Sequence, residues 1–142
     1  PLSALLCKDD CAAFVQGDQG GTYNGNPLMC AVGIAVFEQL LAPGFLEEVC
    51  AKGLYLSKEL LRLSGQFGLV GERGEGLLRA LVLNREIGAQ LVEVARELTP
   101  DGLLINSPRP HLLRFMPALN VSYSEIDQMI ALLEKSFQKL ST

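Results

Sequence analysis

The sequence lacks most of the features that would send it to a nucleic acid, a membrane or a metal. It has no basic excess: residues 1–71 carry 4 basic and 7 acidic side chains and residues 72–142 carry 8 and 9, for a formal net charge of -4. Neither half offers the cationic stripe that a nucleic-acid or anionic lipid surface needs, so no nucleic acid and no membrane is expected among its partners. No apolar run reaches the length that spans a bilayer. A charged segment leading into an apolar one is also missing, so no signal peptide is expected. Histidine occurs once, at His111, far from the four cysteines Cys7, Cys11, Cys30 and Cys50. Cys7 and Cys11 are spaced like a pair of metal ligands, but no second pair and no nearby histidine completes a site. The cysteines sit in aliphatic or helical surroundings and read as buried or partly buried free thiols of a reducing cytoplasm. Repeats and low-complexity tracts are absent.

What is present is enough apolar material for a core: hydrophobic residues make up 49% and charged residues 20% of 142. Leu2 to Cys7 reads as a short buried strand, and residues 9–15 as a helical turn. Residues 17–25 form a loop dense in turn formers. Asn26-Pro27 then pairs an N-cap with the residue favoured at the first helical position. The helix starting there is apolar nearly all round, so it is expected to be buried on most sides before Pro43-Gly44 stops it. Leu46, Val49, Gly53, Leu56, Leu60 and Leu63 recur at helical spacing up to Ser64-Gly65. Short strands and turns come next. Leu77 to Leu83 is strand-like, and Ile87, Leu91, Val94 and Leu98 mark a helix face. Residues 103–106 and 111–116 read as a hairpin around Ser107 to Pro110. Ser122 with Glu125 is a capping box for a last helix, whose apolar face holds Ile126, Met129, Ile130, Leu133, Phe137 and Leu140.

The second half is thus a small α/β unit of the order strand–strand–helix–hairpin–helix. The first 45 residues offer one strand and one helix that want a larger partner. The chain starts at Pro1 and not at Met, and is expected to begin inside a longer protein or after processing.

Two places carry chemistry. The glycine-rich loop ahead of the first helix, with the hydroxyl of Thr22, suits a phosphate, although the pattern taken alone favours a plain turn. Arg114 stands in the apolar strand LLRFMP. A charge there lies either on a solvated strand face or in a cleft, where its fork suits a carboxylate. Arg109 and His111 in the same hairpin are its rivals, the first as a turn residue between two prolines, the second as a strand residue.

The stretch from Gly20 to Ala31 resembles the loop-to-helix segment of the class III, ornithine-type aminotransferases. Pro1-Leu2-Ser3-Ala4 resembles the segment just after their cofactor lysine and its glycine run. Arg73 to Leu77 resembles their turn-to-strand segment, and Leu113 to Leu119 their arginine-bearing strand. The four segments keep the family's order along the whole chain. Within the family, the type acting on acetylornithine and succinyl substrates fits best, from Thr22-Tyr23 and the short hairpin Asn106 to His111.

The resemblance implies an α/β fold, the C-terminal part of the type I pyridoxal-phosphate-dependent transferase fold. Residues 1–44 would end the large cofactor-binding domain, 45–65 form a connecting helix, and 66–142 form the small C-terminal α/β domain. It also implies a cytoplasmic homodimer using pyridoxal 5'-phosphate. The amino group would pass between an amino acid and a 2-oxo acid, with N-acetylornithine and 2-oxoglutarate preferred, for arginine synthesis. The position of Thr22 would reach the cofactor phosphate of the partner subunit, and that of Arg114 would receive the substrate α-carboxylate. No catalytic residue is expected in this chain. Lys8, Lys52, Lys58, Lys135 and Lys139 lack the family's lysine context, so that lysine would lie ahead of Pro1 and this chain alone would be inactive. Other ω-amino acid aminotransferases (ornithine, succinylornithine, 4-aminobutyrate) remain alternatives, as does a non-catalytic structural module. Gln19, where the family usually has histidine, and Arg79, where it more often has a small residue, depart from the pattern.

Overall fold

Side-chain capping and amphipathic periodicity decide where the helices lie. In a computed structural model, which describes residues 2–140, α1 spans Pro27–Leu40 and α2 spans Phe45–Gln66. β1 spans Gly71–Glu75 and β2 Leu78–Val82. α3 covers Gly88–Arg96, β3 Asn106–Arg109, β4 Leu112–Phe115, and α4 Tyr123–Leu140. The chain divides into two compact units, the first ending at Phe45 and the second starting at Leu46.

In the first unit, Asn26 caps α1 as expected, its side chain accepting from the Met29 amide at 3.2 Å. The rest departs from expectation. Residues 2–8 form no strand, and only Asp9–Cys11 makes a single 3-10 turn. A lone apolar segment becomes a strand only where an edge exists to pair with it, and the first unit holds no other strand among the described residues. Helix α1 has no buried residue. Its apolar surface runs round the helix, and a unit of about 45 residues has too little other surface to cover it. All four cysteines are free and exposed, not buried: three lie in this unit, and Cys50 faces outward on α2.

The second unit is a four-stranded antiparallel sheet in the order β1-β2-β4-β3 with helices on one face. The amphipathic stripes close the core. Leu56, Leu60 and Leu63 of α2, Leu91 of α3, and Ile126, Ile130, Leu133 and Phe137 of α4 cluster with Leu81, Leu113 and Phe115 of the sheet. Phe67 stacks on Phe137 with centroids 4.9 Å apart. At about 1.5–3 kcal/mol for each fully buried aliphatic or phenyl side chain, this cluster is the main stabilising term. Ser136, fully buried on α4, is satisfied by the Leu132 carbonyl at 2.8 Å.

The hairpin β3–β4 sits later in the chain than the residues suggest. The strand expected at 103–106 runs from 106 to 109, and the turn falls at Pro110 and His111. Pro108 is therefore inside a strand. It is tolerated because β3 is the sheet edge, where a missing N–H can face outward. At the other edge, the turn Gly76-Leu77 between β1 and β2 presses its backbone onto α2. A Cβ on Gly53 would lie 2.6 Å from the Gly76 carbonyl carbon and oxygen, so only glycine fits at that point of the helix.

Candidate functional site

Arg114 is the third residue of β4, and alternation along that strand decides its direction. Leu113 and Phe115 point into the core, so Arg114 points to the sheet's outward face, where it is exposed. It pairs with Ala80 on β2 and Asn106 on β3. The small Ala80 leaves open space beside the guanidinium. Arg114 lines two adjoining depressions. One, of about 410 Å³, is shared with Leu104, Ile105, Asn106, Met116 and Glu125 among others. The second, of about 380 Å³, lies over β1 and β2.

Among the described residues nothing neutralises Arg114: it makes no ion pair and no side-chain hydrogen bond. Glu125, the acid in the same depression, is engaged elsewhere. It accepts from the Ser122 amide at 2.7 Å and the Ser122 hydroxyl at 2.8 Å. Those two bonds, the backbone one first, hold its carboxyl below the usual carboxylate range. Arg114 is thus a rigidly based cationic fork over open space, suited to a planar bidentate anion. Its rivals do not share that place. Arg109 and His111 are exposed at the hairpin end and line neither depression. His111 contributes its backbone carbonyl, which accepts from the Leu83 amide at 2.9 Å. Neither depression is lined by a lysine.

Thr22 lies in the exposed turn 22–25 of the first unit. The turn is closed by the Asn24 amide on the Gly21 carbonyl at 3.1 Å and the Asn26 amide on the Tyr23 carbonyl at 3.2 Å. The Thr22 hydroxyl and amide have no acceptor among the described residues. The start of α1 itself has little left for an anion. Pro27 has no N–H, the Met29 amide is held by the Asn26 side chain, and the Cys30 amide by the Asn26 carbonyl. A phosphate here would be bound by Thr22 and the loop backbone rather than by the helix terminus. That donor set fits a phosphate ester. Gln19 is exposed and makes no contact that explains its departure from the family pattern.

Arg79 has an account that its own position in the sequence does not offer. It points to the core side and is buried, with Glu72 of β1 as partner at 3.4 Å. Its Nε donates to the Gly76 carbonyl at 2.8 Å and one terminal nitrogen to the Gly74 carbonyl at 2.9 Å. Ser57 of α2 donates to the same Glu72 oxygen. Acid and base stand on one face of a hairpin, at Glu72↔Leu81 and Gly74↔Arg79.

A family model described as "Aminotransferase class-III" matches residues 1–137. Over 133 residues the chain is 68% identical to an acetylornithine aminotransferase of Ralstonia nicotianae, covering 94% of this chain and 33% of that protein. It is 56% identical over 134 residues to acetylornithine aminotransferase 2 of Bordetella parapertussis, covering 94% and 34%. The chain therefore spans about a third of the length of these curated relatives. Among solved structures it resembles an N-acetylornithine aminotransferase from Stenotrophomonas maltophilia K279a, with a TM-score of 0.74 and 26% identity over 82% of this chain and 32% of that one. It also resembles an acetylornithine aminotransferase from Elizabethkingia anophelis, with a TM-score of 0.79 and 25% identity over 89% and 33%.

Proposed function

The chain belongs to the class III aminotransferase family, and from that premise we propose that the whole protein moves an amino group between N-acetylornithine and 2-oxoglutarate in arginine synthesis. The observation that carries the reading is Arg114: a guanidinium on a strand paired on both sides, exposed over a depression, with no internal partner among the described residues. In this role it receives the α-carboxylate of the amino acid and of the 2-oxo acid in turn, and so presents both at one fixed orientation. Names of relatives support the choice of N-acetylornithine.

Pyridoxal 5'-phosphate, when bound, supplies the electron sink for the reaction. Thr22 holds its phosphate through the hydroxyl and the loop backbone, and does so for the partner subunit of a cytoplasmic homodimer. Lys8, Lys52, Lys58, Lys135 and Lys139 lack the family's lysine context. The cofactor-holding lysine, and with it catalysis, is therefore assigned to the part of the whole protein outside residues 1–142. In this arrangement residues 1–44 complete the large domain, 45–65 connect, and 66–142 form the small domain that carries Arg114.

The test is amino transfer by the whole protein with 2-oxoglutarate as acceptor. N-acetylornithine should be used at least about tenfold better, in kcat/KM, than ornithine, N-succinylornithine or 4-aminobutyrate. A higher value for any of these reassigns the donor. Arg114→Lys keeps the charge and loses the fork. It should lower kcat/KM for 2-oxoglutarate by at least about tenfold, since a charge-assisted bond contributes roughly 1.5–3 kcal/mol. A change within twofold would return Arg114 to the solvated face of the sheet.

A further inference from the structure

The β1–β2 hairpin ends in a backbone that its own sequence leaves soft. Gly74 and Gly76 have positive φ angles of 141° and 53°, which glycine adopts at no steric cost but with the most freedom to lose. β1 is also a sheet edge, hydrogen-bonded within the sheet to β2 alone. One side chain offsets both weaknesses. From the core side of β2, the buried Arg79 donates to the Gly76 carbonyl at 2.8 Å and to the Gly74 carbonyl at 2.9 Å. The same guanidinium meets Glu72 of β1 at 3.4 Å, and Glu72 accepts from Ser57 of α2. A single planar fork thus ties both glycines of the hairpin end to β2, to β1 and, through Glu72, to α2. The Gly76 backbone also rests against Gly53 of α2.

That hairpin end is a wall of the site. On the outward face, Arg73, Ala80 and Arg114 stand in one row across β1, β2 and β4. The open depression of about 380 Å³ that Arg114 lines is bounded by Arg73, Gly74 and Glu75 on one strand and by Leu78, Arg79 and Ala80 on the next. We propose that Arg79 is a positioning residue. It acts from beneath the sheet, through the Gly74 and Gly76 carbonyls, to hold this wall in one conformation, and so fixes the shape of the space over which Arg114 stands. The proposal rests on the aminotransferase reading only for what enters that space. Without the fork, a glycine backbone at a sheet edge samples many conformations. Binding must then select the competent one, which weakens affinity and leaves the steps after binding as they were. A methionine at position 79 fills similar volume but has no donor for either carbonyl.

The experiment uses the whole protein and compares Glu72→Leu with Arg79→Met as a pair, and Arg79→Lys alone. Three quantities are read: the melting temperature, amide exchange of residues 74–77 without ligand, and KM and kcat for 2-oxoglutarate. The paired variant separates positioning from stability, because it removes the fork and leaves no buried charge behind. It should melt close to wild type and exchange these amides at least about tenfold faster. Its KM should rise at least about fivefold with kcat within about twofold, as for a wall that is competent about a fifth of the time. Arg79→Lys keeps a charge beside Glu72 and loses the planar fork. It should show the same changes at smaller size, and it stands in for the paired variant if that one does not fold. A purely structural pair gives the opposite result: exchange and KM return to wild type together with the melting temperature. That result overturns the proposal, as does a loss confined to kcat. A whole protein that transfers no amino group ends the aminotransferase reading. Faster exchange of residues 74–77 then still supports the pinning by Arg79, and unchanged exchange overturns it.

Discussion

Helices α1 and α2 are neighbours in the chain, yet the 14-residue α1 buries nothing while the 22-residue α2 buries Gly53, Leu56, Leu60, Leu63 and Ser64. The difference is one of pattern rather than of apolar content. In α2 the apolar residues form a stripe, and the sheet and α4 in the same unit supply a matching surface. In α1 they run round the helix, so that Leu28, Val32, Ile34, Val36 and Phe37 all stay exposed. A stripe is satisfied by one neighbour, whereas a helix apolar all round needs several. The two units are therefore expected to differ in stability, in what mutation does to them, and in their response to pH.

The largest expected effect is on amide exchange of the 142-residue chain. Amides facing the core of the second unit should exchange by global opening, which for a domain costs about 5–15 kcal/mol. Those of Leu28 to Leu40 should exchange by local opening at close to the free-peptide rate. Equal protection of α1 in a sample proved monomeric by sedimentation would erase the contrast on which the comparison stands.

Next in size is the buried ion pair. Arg79→Met leaves the buried Glu72 side chain short of its partner, which costs about 3–5 kcal/mol. Glu72→Leu with Arg79→Met should recover most of that loss, because the pair is expensive to desolvate and Glu72 already has one oxygen with no hydrogen bond. A chemical denaturation series on the four chains of this double-mutant cycle gives the answer. A harmless single variant would mean that Arg79 is solvated in solution.

The glycines extend the contrast at smaller size. Gly53→Ala drives a methyl group into the Gly76 backbone and should destabilise the second unit by about 1–3 kcal/mol. Gly33→Ala meets only the movable tip of Leu2. By helix propensity it should favour α1 by up to about 1 kcal/mol. Circular dichroism of both variants separates the outcomes, and opposite signs are the expected result.

How much of this was legible depended on whether the signal was local. The caps Asn26 and Ser122 with Glu125, and the stripes of α2 and α4, are local and are found where the residues place them. Alternation in LLRF likewise gives the direction of Arg114. Leu2 to Cys7 misled because apolar character reports a wish for burial and says nothing of whether a strand edge is on hand. β3 was displaced because Pro108 argues against a strand unless the strand is known to be an edge, and edge position belongs to topology. The Glu72–Arg79 pair and the Arg73–Ala80–Arg114 row depend on register between strands, which one sequence does not fix. The aminotransferase likeness, by contrast, rested on ordered short segments and is matched over residues 1–137.

The smallest predicted effect separates the two helix caps. Helix α1 starts at a neutral amide side chain, Asn26, and α4 at a box that contains a titrating group, Glu125. The Ser122 amide, and after it the Ser122 hydroxyl, hold the Glu125 carboxyl below the usual carboxylate range. A carboxylate with a depressed pKa in the folded chain contributes stability that is present above its unfolded value, about 4.3. That contribution is lost as pH falls through the lower, folded value. Acidification should therefore loosen the first turn of α4 while leaving the Asn26 cap untouched. The Ser122 amide resonance, tracked from pH 7 downward, should move with a midpoint below the ordinary glutamate range. The Met29 amide, bonded to Asn26, should not move with it. Glu125→Gln should remove the Ser122 transition and leave Met29 as it was. A Ser122 midpoint at or above the ordinary range would mean that the box is open in solution and that α4, like α1, is held at its start by nothing that titrates.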